Sequence, residues 1–426
     1  MRNSGGRLGL SGLLVWIVTP VVAWAGIEPL GDRFASSTTT LRSLAMIAGL
    51  LGYGAWSGNI VLGARIGPIE RAWAGLDHLY RAHRRTGEAT VVLLILHGAL
   101  MLASIESLDY LNVRTGAIFL GPVVLAILVL LVVVSVYGRL HRDPFVWIQR
   151  ALGGLFLIGL FHVFGVVGDK SRSRTFAITL GLMAVGAAAA WIYRSVLGRR
   201  VAPRHHYTVA EMRPVSDRVT EVVLDPVDHP LDFSPGQFAF LSLGAPAHDT
   251  RPHPFSLTSR PGDPQLRFVV KGLGDHTREL ATIPAGTSAR VEGPYGSLCH
   301  ERMPSKRQVW IGGGIGITPF ISMARAVSRG RDGFDVDLYY CVAHAGETYF
   351  HDELAEHVDV ITVQEDRDGF LTADKIAERS GPLTDDVDYL LCGPPGMMHA
   401  LRSQLEAAGV PSSRIHAEDF TFRKGS

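Results

Sequence analysis

Residues 116–138 read GAIFLGPVVLAILVLLVVVSVYG, and none of these side chains carries a charge. A helix needs about 20 mostly apolar residues to cross the hydrocarbon core of a bilayer. Five further segments before residue 200 have similar length and apolar character, at about 8–27, 41–63, 88–106, 147–168 and 174–196. The first half of the chain therefore predicts a bundle of six transmembrane helices embedded in a lipid bilayer.

The composition agrees with a membrane protein and excludes other classes. Of the 426 residues 47% are hydrophobic, and the mean hydropathy is +0.19. The net charge of +1 gives no electrostatic basis for binding nucleic acid. Three cysteines, Cys299, Cys341 and Cys392, form neither a disulfide framework nor a cysteine-rich metal site, which indicates a reduced, cytoplasmic second half.

Basic residues mark one side of the predicted bundle. They are concentrated between the second and third segments, between the fourth and fifth, and after the sixth. Loops rich in lysine and arginine stay inside, so we expect a multi-pass protein of the cell (inner) membrane with both termini in the cytoplasm. The first segment, preceded by Arg2 and Arg7, also fits a secretory signal peptide, although its length favours a retained helix.

The pattern of the sequence changes after residue 200. Short β-patterned runs between glycine and proline turns fill about 206–303 and predict an antiparallel β-barrel. From residue 308 strands alternate with helical segments, which is typical of βα units on a parallel sheet. We therefore predict a multi-domain chain: a six-helix transmembrane domain over 1–200, a β-barrel domain over 201–304 and an α/β domain over 305–426.

Histidines lie inside the predicted membrane segments, where ionisable residues are costly and suggest function. His97 in the third segment and His162 in the fifth lie at similar depth, so their imidazoles could hold the iron of a b-type haem. His83 precedes His97 by just under four helical turns and faces nearly the same side. The alternative is that a lone histidine hydrogen-bonds to a neighbouring helix.

Two motifs in the predicted barrel suit a flavin. His253-Pro254-Phe255-Ser256-Leu257-Thr258 places an aromatic ring, which could stack on the isoalloxazine, beside hydroxyl groups that could reach a phosphate. The later Lys271-Gly272-Leu273-Gly274-Asp275-His276-Thr277 has glycines that let the backbone approach a pyrophosphate. The FAD candidates are His253, Pro254, Phe255, Ser256, Leu257, Thr258, Lys271, Gly274 and Thr277.

Two glycine-containing motifs in the α/β domain suit a pyridine nucleotide. A buried strand runs into a glycine turn and then into a helix with proline near its start, which sets backbone N–H groups against a diphosphate. The second motif, LCGPPGM at 391–397, follows a later strand. The NAD(P) candidates are Gly312, Gly313, Gly314, Gly316, Thr318, Pro319, Cys392, Gly393 and Pro394.

Taken together, the histidines, the HPFSLTS and the CGPP motifs resemble the ferric reductase and NADPH oxidase superfamily over nearly the whole chain. The resemblance implies FAD, NADH or NADPH, and b-type haem as cofactors, with haem iron held by His97, His162 and His83. It also implies that Cys392 is a positioning contact beside the nicotinamide. A C-terminal aromatic, Phe422 or else Phe420, would cover the flavin.

One position departs from the superfamily pattern. A second histidine should occur about thirteen residues before His162, where this sequence has Gln149. Glutamine is a poor haem ligand, so an inner haem would keep only His83, be absent, or recruit another group such as His141.

We therefore expect transmembrane electron transfer from NAD(P)H through FAD and haem to a small-molecule acceptor outside the cell, with ferric chelate favoured and dioxygen as an alternative. Gln149 also leaves open a membrane subunit that passes electrons to a partner protein or quinone. A flavin reductase tethered by inert helices would leave His97 and His162 unexplained. The stretch 341–347 has no arginine for a 2′-phosphate, and Glu347 would repel one, which favours NADH.

Overall fold

The computed structural model describes residues 4–64, 66–73, 76–104, 115–138, 142–166, 173–197, 204–244, 252–272, 280–327 and 333–418. The chain divides into two compact units, which are essentially Asn3–Val201 and Ala202–Phe422. We describe each unit by itself.

The first unit is helical. Its α-helices are α1 (Ser4–Ala25), α2 (Leu30–Arg33), α3 (Ser37–Gly63), α4 (Gly67–Ala72), α5 (Leu76–Ala103), α6 (Thr115–Tyr137), α7 (Arg142–Val166) and α8 (Arg174–Ile192). Six of them, α1, α3, α5, α6, α7 and α8, are long and apolar enough to cross a membrane. These six coincide with the six predicted segments, and α5 begins about three turns before the third segment because its basic first turns are also helical.

Helix α3 lies at the centre of this unit. Ser36 caps its N-terminus, where the Ser36 hydroxyl accepts a hydrogen bond from the Thr39 N–H. Gly54 permits close packing on α1, because a Cβ at this position would lie 2.7 Å from the Ile17 carbonyl oxygen. The Tyr53 hydroxyl donates to the Leu180 carbonyl of α8 over 2.7 Å. Small residues and one buried hydroxyl therefore fix α3 between α1 and α8.

The second unit begins with a six-stranded antiparallel sheet. Its strands are β1 (Arg204–Ser216), β2 (Val219–Pro226), β3 (Phe238–Leu243), β4 (His253–Ser256), β5 (Leu266–Lys271) and β6 (Ser288–Tyr295), in the order β4-β3-β6-β1-β2-β5. A bridge between Leu257 and Phe268 links the two edges, and an apolar core fills the interior. The predicted antiparallel architecture is confirmed, and the flavin motif proves to be a strand in its own right.

A five-stranded parallel sheet follows. It consists of β7 (Arg307–Gly313), β8 (Asp335–Val342), β9 (Asp359–Gln364), β10 (Asp388–Cys392) and β11 (Ile415–Glu418), in the order β11-β10-β7-β8-β9. The helices of this region are α9 (Thr318–Ala326), α10 (His351–His357), α11 (Glu365–Asp368), α12 (Ala373–Ser380) and α13 (Pro395–Ala407). The predicted parallel sheet is confirmed. The edge strands β9 and β11 were not predicted from the sequence; both are less buried than the central β10, and β11 has only four residues.

Candidate functional site

The two glycine motifs of the parallel sheet meet where the strand order reverses. The chain runs from β7 through β8 to β9 on one side of the sheet, and then crosses to β10 and β11 on the other. Residues 312–316 form the end of β7 and the turn after it, and residues 392–394 form the end of the adjacent β10 and the start of its turn. A crevice at the carboxyl ends of parallel strands beside such a reversal is where open α/β sheets bind their ligands.

The contact between the two motifs is so close that glycine is required. A Cβ on Gly316 would lie 2.4 Å from the Cys392 carbonyl oxygen, and one on Gly313 would lie 2.7 Å from Met397 Cε. Gly314 has φ +53°, in the left-handed region that glycine adopts without steric cost. The predicted residues Gly312, Gly313, Gly314, Gly316 and Gly393 are therefore brought together as one bare backbone surface.

Helix α9 begins directly after the first motif, as the sequence predicts. Pro319 occupies its first turn, where a missing N–H costs no hydrogen bond. The Thr318 hydroxyl donates to the Ile315 carbonyl over 3.0 Å and so closes the turn. The N–H groups of this first turn have no partner within the helix and can receive an anionic group.

The flavin motif divides into two parts with different surroundings. His253, Pro254 and Phe255 are half-buried, and the His253 and Phe255 rings lie 6.5 Å apart between centroids. Ser256 is buried at the end of β4, opposite Phe238 of β3. This first part presents the aromatic and hydroxyl groups that the sequence analysis assigned to the flavin.

Leu257 and Thr258, which the sequence also predicted to contact the flavin, are bound to the barrel through their backbone N–H groups. Both side chains are fully buried, Leu257 within the apolar core of the barrel. Their N–H groups donate to the carbonyls of Gln237 and Arg267, each over 2.9 Å. These two N–H groups are therefore not available to a flavin phosphate, whereas Thr258 Oγ1 is buried and has no hydrogen-bond partner among the described residues.

Helix α9 also holds the end of the flavin motif, a connection that the sequence analysis missed. The Ser322 hydroxyl donates to the Ser259 carbonyl over 2.7 Å, and Arg325 Nη1 donates to the Thr258 carbonyl over 2.6 Å. Arg325 also forms an ion pair with Glu353, with a shortest N–O distance of 2.6 Å. Arg325 is the one charged residue of α9, and this lone charge on a largely buried helix was the signal from which its contact could have been predicted. One helix therefore touches both the nucleotide turn and the flavin strand.

Lys271, predicted to contact FAD, lies against the parallel-sheet region. Its Nζ is 3.4 Å from Glu347 Oε2, just beyond the end of β8. The neighbouring His344 Nδ1 donates a hydrogen bond to Asp366 Oδ2 over 2.9 Å, and this bond raises the pKa of His344. Acidic side chains therefore surround the carboxyl ends of β8 and β9, and Lys271 offsets part of that charge.

The thiol of Cys392 is buried in the core beneath the parallel sheet and is only 1% exposed, so Cys392 meets the glycine turn through its carbonyl. Beside it, Glu418 is paired with Cys392 across β10 and β11, and its carboxylate lies over Gly296. This buried acid was not among the candidates. Gly274, Thr277, Phe420 and Phe422 lie outside the described residues, as does His141.

In the first unit, His97 and His83 of α5 are each held by a carbonyl of α3. His97 Nδ1 lies 2.8 Å from the Ala45 carbonyl oxygen, and His83 Nδ1 lies 2.9 Å from that of Asn59. A carbonyl can only accept, so Nδ1 carries the proton and Nε2 has the lone pair that a metal would use. The sequence left open that a histidine only hydrogen-bonds to a neighbouring helix. These hydrogen bonds to α3 are compatible with metal binding, because they would orient each imidazole as a ligand.

His97 of α5 and His162 of α7 face each other. Their ring centroids are 6.3 Å apart, and the ring planes are 73° apart. Two imidazoles that each place a nitrogen about 2 Å from one metal ion have ring centres about 6 Å apart. Glycines make room for both rings, because a Cβ would lie 2.7 Å from His97 on Gly49 and 2.7 Å from His162 on Gly121.

Comparisons with known proteins concern the second unit. A family model described as "FAD-binding domain" matches residues 205–299, and one described as "Oxidoreductase NAD-binding domain" matches residues 310–403. A NADH-cytochrome b5 reductase 1 of Pyricularia oryzae is 31% identical over 40% of this chain and 61% of its own length. A flavohemoprotein of Bordetella pertussis is 28% identical over 50% of this chain and 60% of its own length.

The chain thus spans about three fifths of the length of these two curated relatives. Among solved structures, the flavohem-like FAD/NAD-binding domain of nitric oxide dioxygenase from Vibrio cholerae is 27% identical, with a TM-score of 0.44, over 51% of this chain and 98% of that one. The FAD-binding match covers the barrel, and the NAD-binding match covers most of the parallel sheet that follows it. The second unit is an FAD- and NAD(P)-binding oxidoreductase module of the ferredoxin-reductase type.

Proposed function

We propose that this chain is a membrane-embedded flavohaem oxidoreductase that moves electrons from cytoplasmic NADH through FAD and b-type haem to a small acceptor on the other side of the bilayer. The observation that carries the proposal is the His97–His162 pair, whose 6.3 Å ring separation suits two axial ligands of one iron.

The surroundings of the pair support haem. Gly49 and Gly121 leave space that any larger residue would fill, and the Ala45 carbonyl fixes the His97 ring with Nε2 as the ligating nitrogen. Such a haem would supply an iron that accepts and releases one electron at a time. The Bordetella relative is named a flavohemoprotein, which agrees with joining haem to this kind of reductase.

The outer surface of the helices supports membrane insertion. Large apolar side chains are exposed on several of the six long helices: Leu14 (52%), Val92 (65%), Leu130 (61%), Phe161 (73%) and Leu182 (66%). A protein surrounded by water rarely exposes so many apolar groups, whereas lipid tails favour them. Buried glycines and hydroxyls between the helices fit the way that membrane helices associate.

The second unit would supply the electrons. Its glycine crevice would hold the diphosphate of the coenzyme on bare backbone, while His253, Phe255 and Ser256 would contact the flavin. FAD, when bound, takes a hydride pair from a nicotinamide and gives up single electrons. We favour NADH, since Glu347 and Asp366 stand where a 2′-phosphate would add negative charge.

The acceptor is proposed as ferric chelate, with dioxygen, a partner protein or a quinone as alternatives. The outer connections predicted from the sequence, at 28–40, 106–115 and 168–174, are short and leave little chain for binding a large partner, which favours a small molecule. Activity of the purified protein with ferric chelate alone would support this choice. Activity that appears only after adding a membrane extract or a quinone would favour the alternatives.

The test of haem ligation uses full-length protein in detergent. We expect His97→Leu and His162→Leu each to abolish the haem absorbance, while anaerobic NADH still bleaches the flavin. His78→Leu is the matched control, because His78 lies on the same helix with an exposed ring. Retention of haem in both ligand variants would refute the assignment.

A further inference from the structure

The contact between α3 and α5 repeats at two levels of the bundle. At one level the Ala45 carbonyl accepts from His97, whose ring lies against Gly49. Fourteen residues along each helix, the Asn59 carbonyl accepts from His83, whose ring lies against Gly63. Fourteen residues are just under four turns and about 21 Å of helix, so the two levels lie on nearly the same face.

The contact between α6 and α7 repeats as well, but with different chemistry. At the level of His97, the ring of His162 lies against Gly121 of α6. Ser135 lies fourteen residues after Gly121 on α6, and Gln149 of α7 is its neighbour. Gln149 Nε2 donates to Ser135 Oγ over 2.9 Å. The level of His83 therefore has an amide and a hydroxyl where the level of His97 has an imidazole and a glycine.

These residues do not fit a second haem. The protein side chains that hold haem iron are histidine, cysteine, methionine and tyrosine. The carboxamide nitrogen of glutamine has no lone pair to donate, and its carbonyl oxygen is a hard donor that suits Mg²⁺ or Ca²⁺. The glutamine amide is also engaged with Ser135, and the hydroxyl at position 135 occupies space that glycine leaves open beside His162.

The polar groups near His83 also disagree with a porphyrin. Asn59 Oδ1 is buried and, within the part of the chain that the structure describes, has no hydrogen-bond partner. A metallated porphyrin with ionised propionates has no N–H or O–H group to offer, whereas a water molecule could satisfy this acceptor.

We propose that this membrane domain holds a single haem, between His97 and His162, and that the level of His83 is a haem-free polar site closed by the Gln149–Ser135 hydrogen bond. This inference rests on the proposed function, and it specifies how many haems the chain holds and which histidines hold them.

The experiment measures haem per FAD in full-length protein purified in detergent, for the wild type and for His83→Leu, His97→Leu and His162→Leu. We expect about one haem per flavin in the wild type. His83→Leu should keep that ratio, and the other two variants should lose haem. A reductive titration should then show one haem transition, which His83→Leu leaves in place.

A wild-type ratio near two would overturn the inference, and so would loss of haem in His83→Leu with flavin retained. A second haem held by His83 together with His141 or another residue would appear as a wild-type ratio near two that falls to about one in His83→Leu. If His83→Leu fails to fold, as judged by lost flavin, His83→Asn provides the same comparison with a polar side chain. A wild type with no haem at all would overturn the proposed function itself, which is a distinct result.

Discussion

At the scale of single residues, the close backbone contact between the two glycine motifs determines the shape of the nucleotide crevice. We predict that Gly316→Ala slows flavin reduction by NADH at least tenfold, because its Cβ would lie 2.4 Å from the Cys392 carbonyl and force the two motifs apart. Stopped-flow absorbance of the flavin under anaerobic conditions measures this rate.

Gly346→Ala is the control for that substitution, since a Cβ at Gly346 meets nothing within 4 Å. Equal rates for Gly316→Ala and the wild type would show that the motifs can separate without loss of coenzyme binding.

A second residue-scale prediction concerns pH. Asp388 is fully buried at the start of β10; burial raises the pKa of its carboxyl, but hydrogen bonds from His416 and the Ser305 N–H, with the charges of His416 and Arg414, lower it more. A lowered pKa means that the ionised carboxylate stabilises the fold at pH values above its ordinary pKa of 3.8. This stabilisation is lost as the pH falls through the lowered pKa.

We therefore expect Asp388→Asn to destabilise the second unit by about 1–3 kcal/mol at neutral pH, with the difference from wild type shrinking below pH 4. Urea unfolding followed by flavin release, repeated from pH 3 to pH 8, measures it. A difference that is constant over this range would contradict the role assigned to the charge.

At the scale of elements, α9 couples the two halves of the second unit. It starts at the glycine turn, and Ser322 and Arg325 on its later turns hold the carbonyls of Ser259 and Thr258. Helix α9 therefore ties the nucleotide turn to the end of the flavin motif.

We predict that Arg325→Ala lowers stability by about 1–3 kcal/mol, because it leaves Glu353 without its partner and the Thr258 carbonyl without a donor. Flavin reduction should also slow several-fold. The thermal midpoint of flavin release and the stopped-flow rate are the two readouts.

Arg302→Ala serves as the comparison, since Arg302 is an exposed arginine of the same region that donates to the Ser234 hydroxyl. If both variants behave alike, the buried position of Arg325 has no special importance.

At the scale of the whole molecule, the proposed orientation gives a labelling prediction. The native cysteines are poor targets, since Cys299 and Cys392 are buried and burial raises the pKa of Cys341 and Cys299. In intact cells a membrane-impermeant maleimide should label Ala35→Cys, in an exposed turn between α2 and α3, but not Ser413→Cys before β11.

Lysis should expose Ser413→Cys to the reagent. Labelling of Ser413→Cys in intact cells, with no labelling at Ala35→Cys, would invert the proposed orientation.

The sequence by itself determined the features that are local in the chain. Six long apolar segments, alternating β runs and βα units are patterns within 5 to 25 residues, so the helices, the barrel and the parallel sheet could be predicted from periodicity. The glycine motifs and the histidines of the apolar segments were recognisable for the same reason. The edge strand β11 was not, because its four residues become a strand only through pairing with β10. The edge strand β9 was also missed, although Val360-Ile361-Thr362-Val363 is a β-branched run.

The tertiary structure alone decided which distant residues meet. It placed Gly316 against Cys392 and joined Arg325 to Thr258, and it turned Leu257 into the barrel core. It also set His97 opposite His162 and bonded Gln149 to Ser135. Hydrogen bonds and close contacts depend on separations of a few ångströms between elements, and the order of strands and the packing of helices fix those separations.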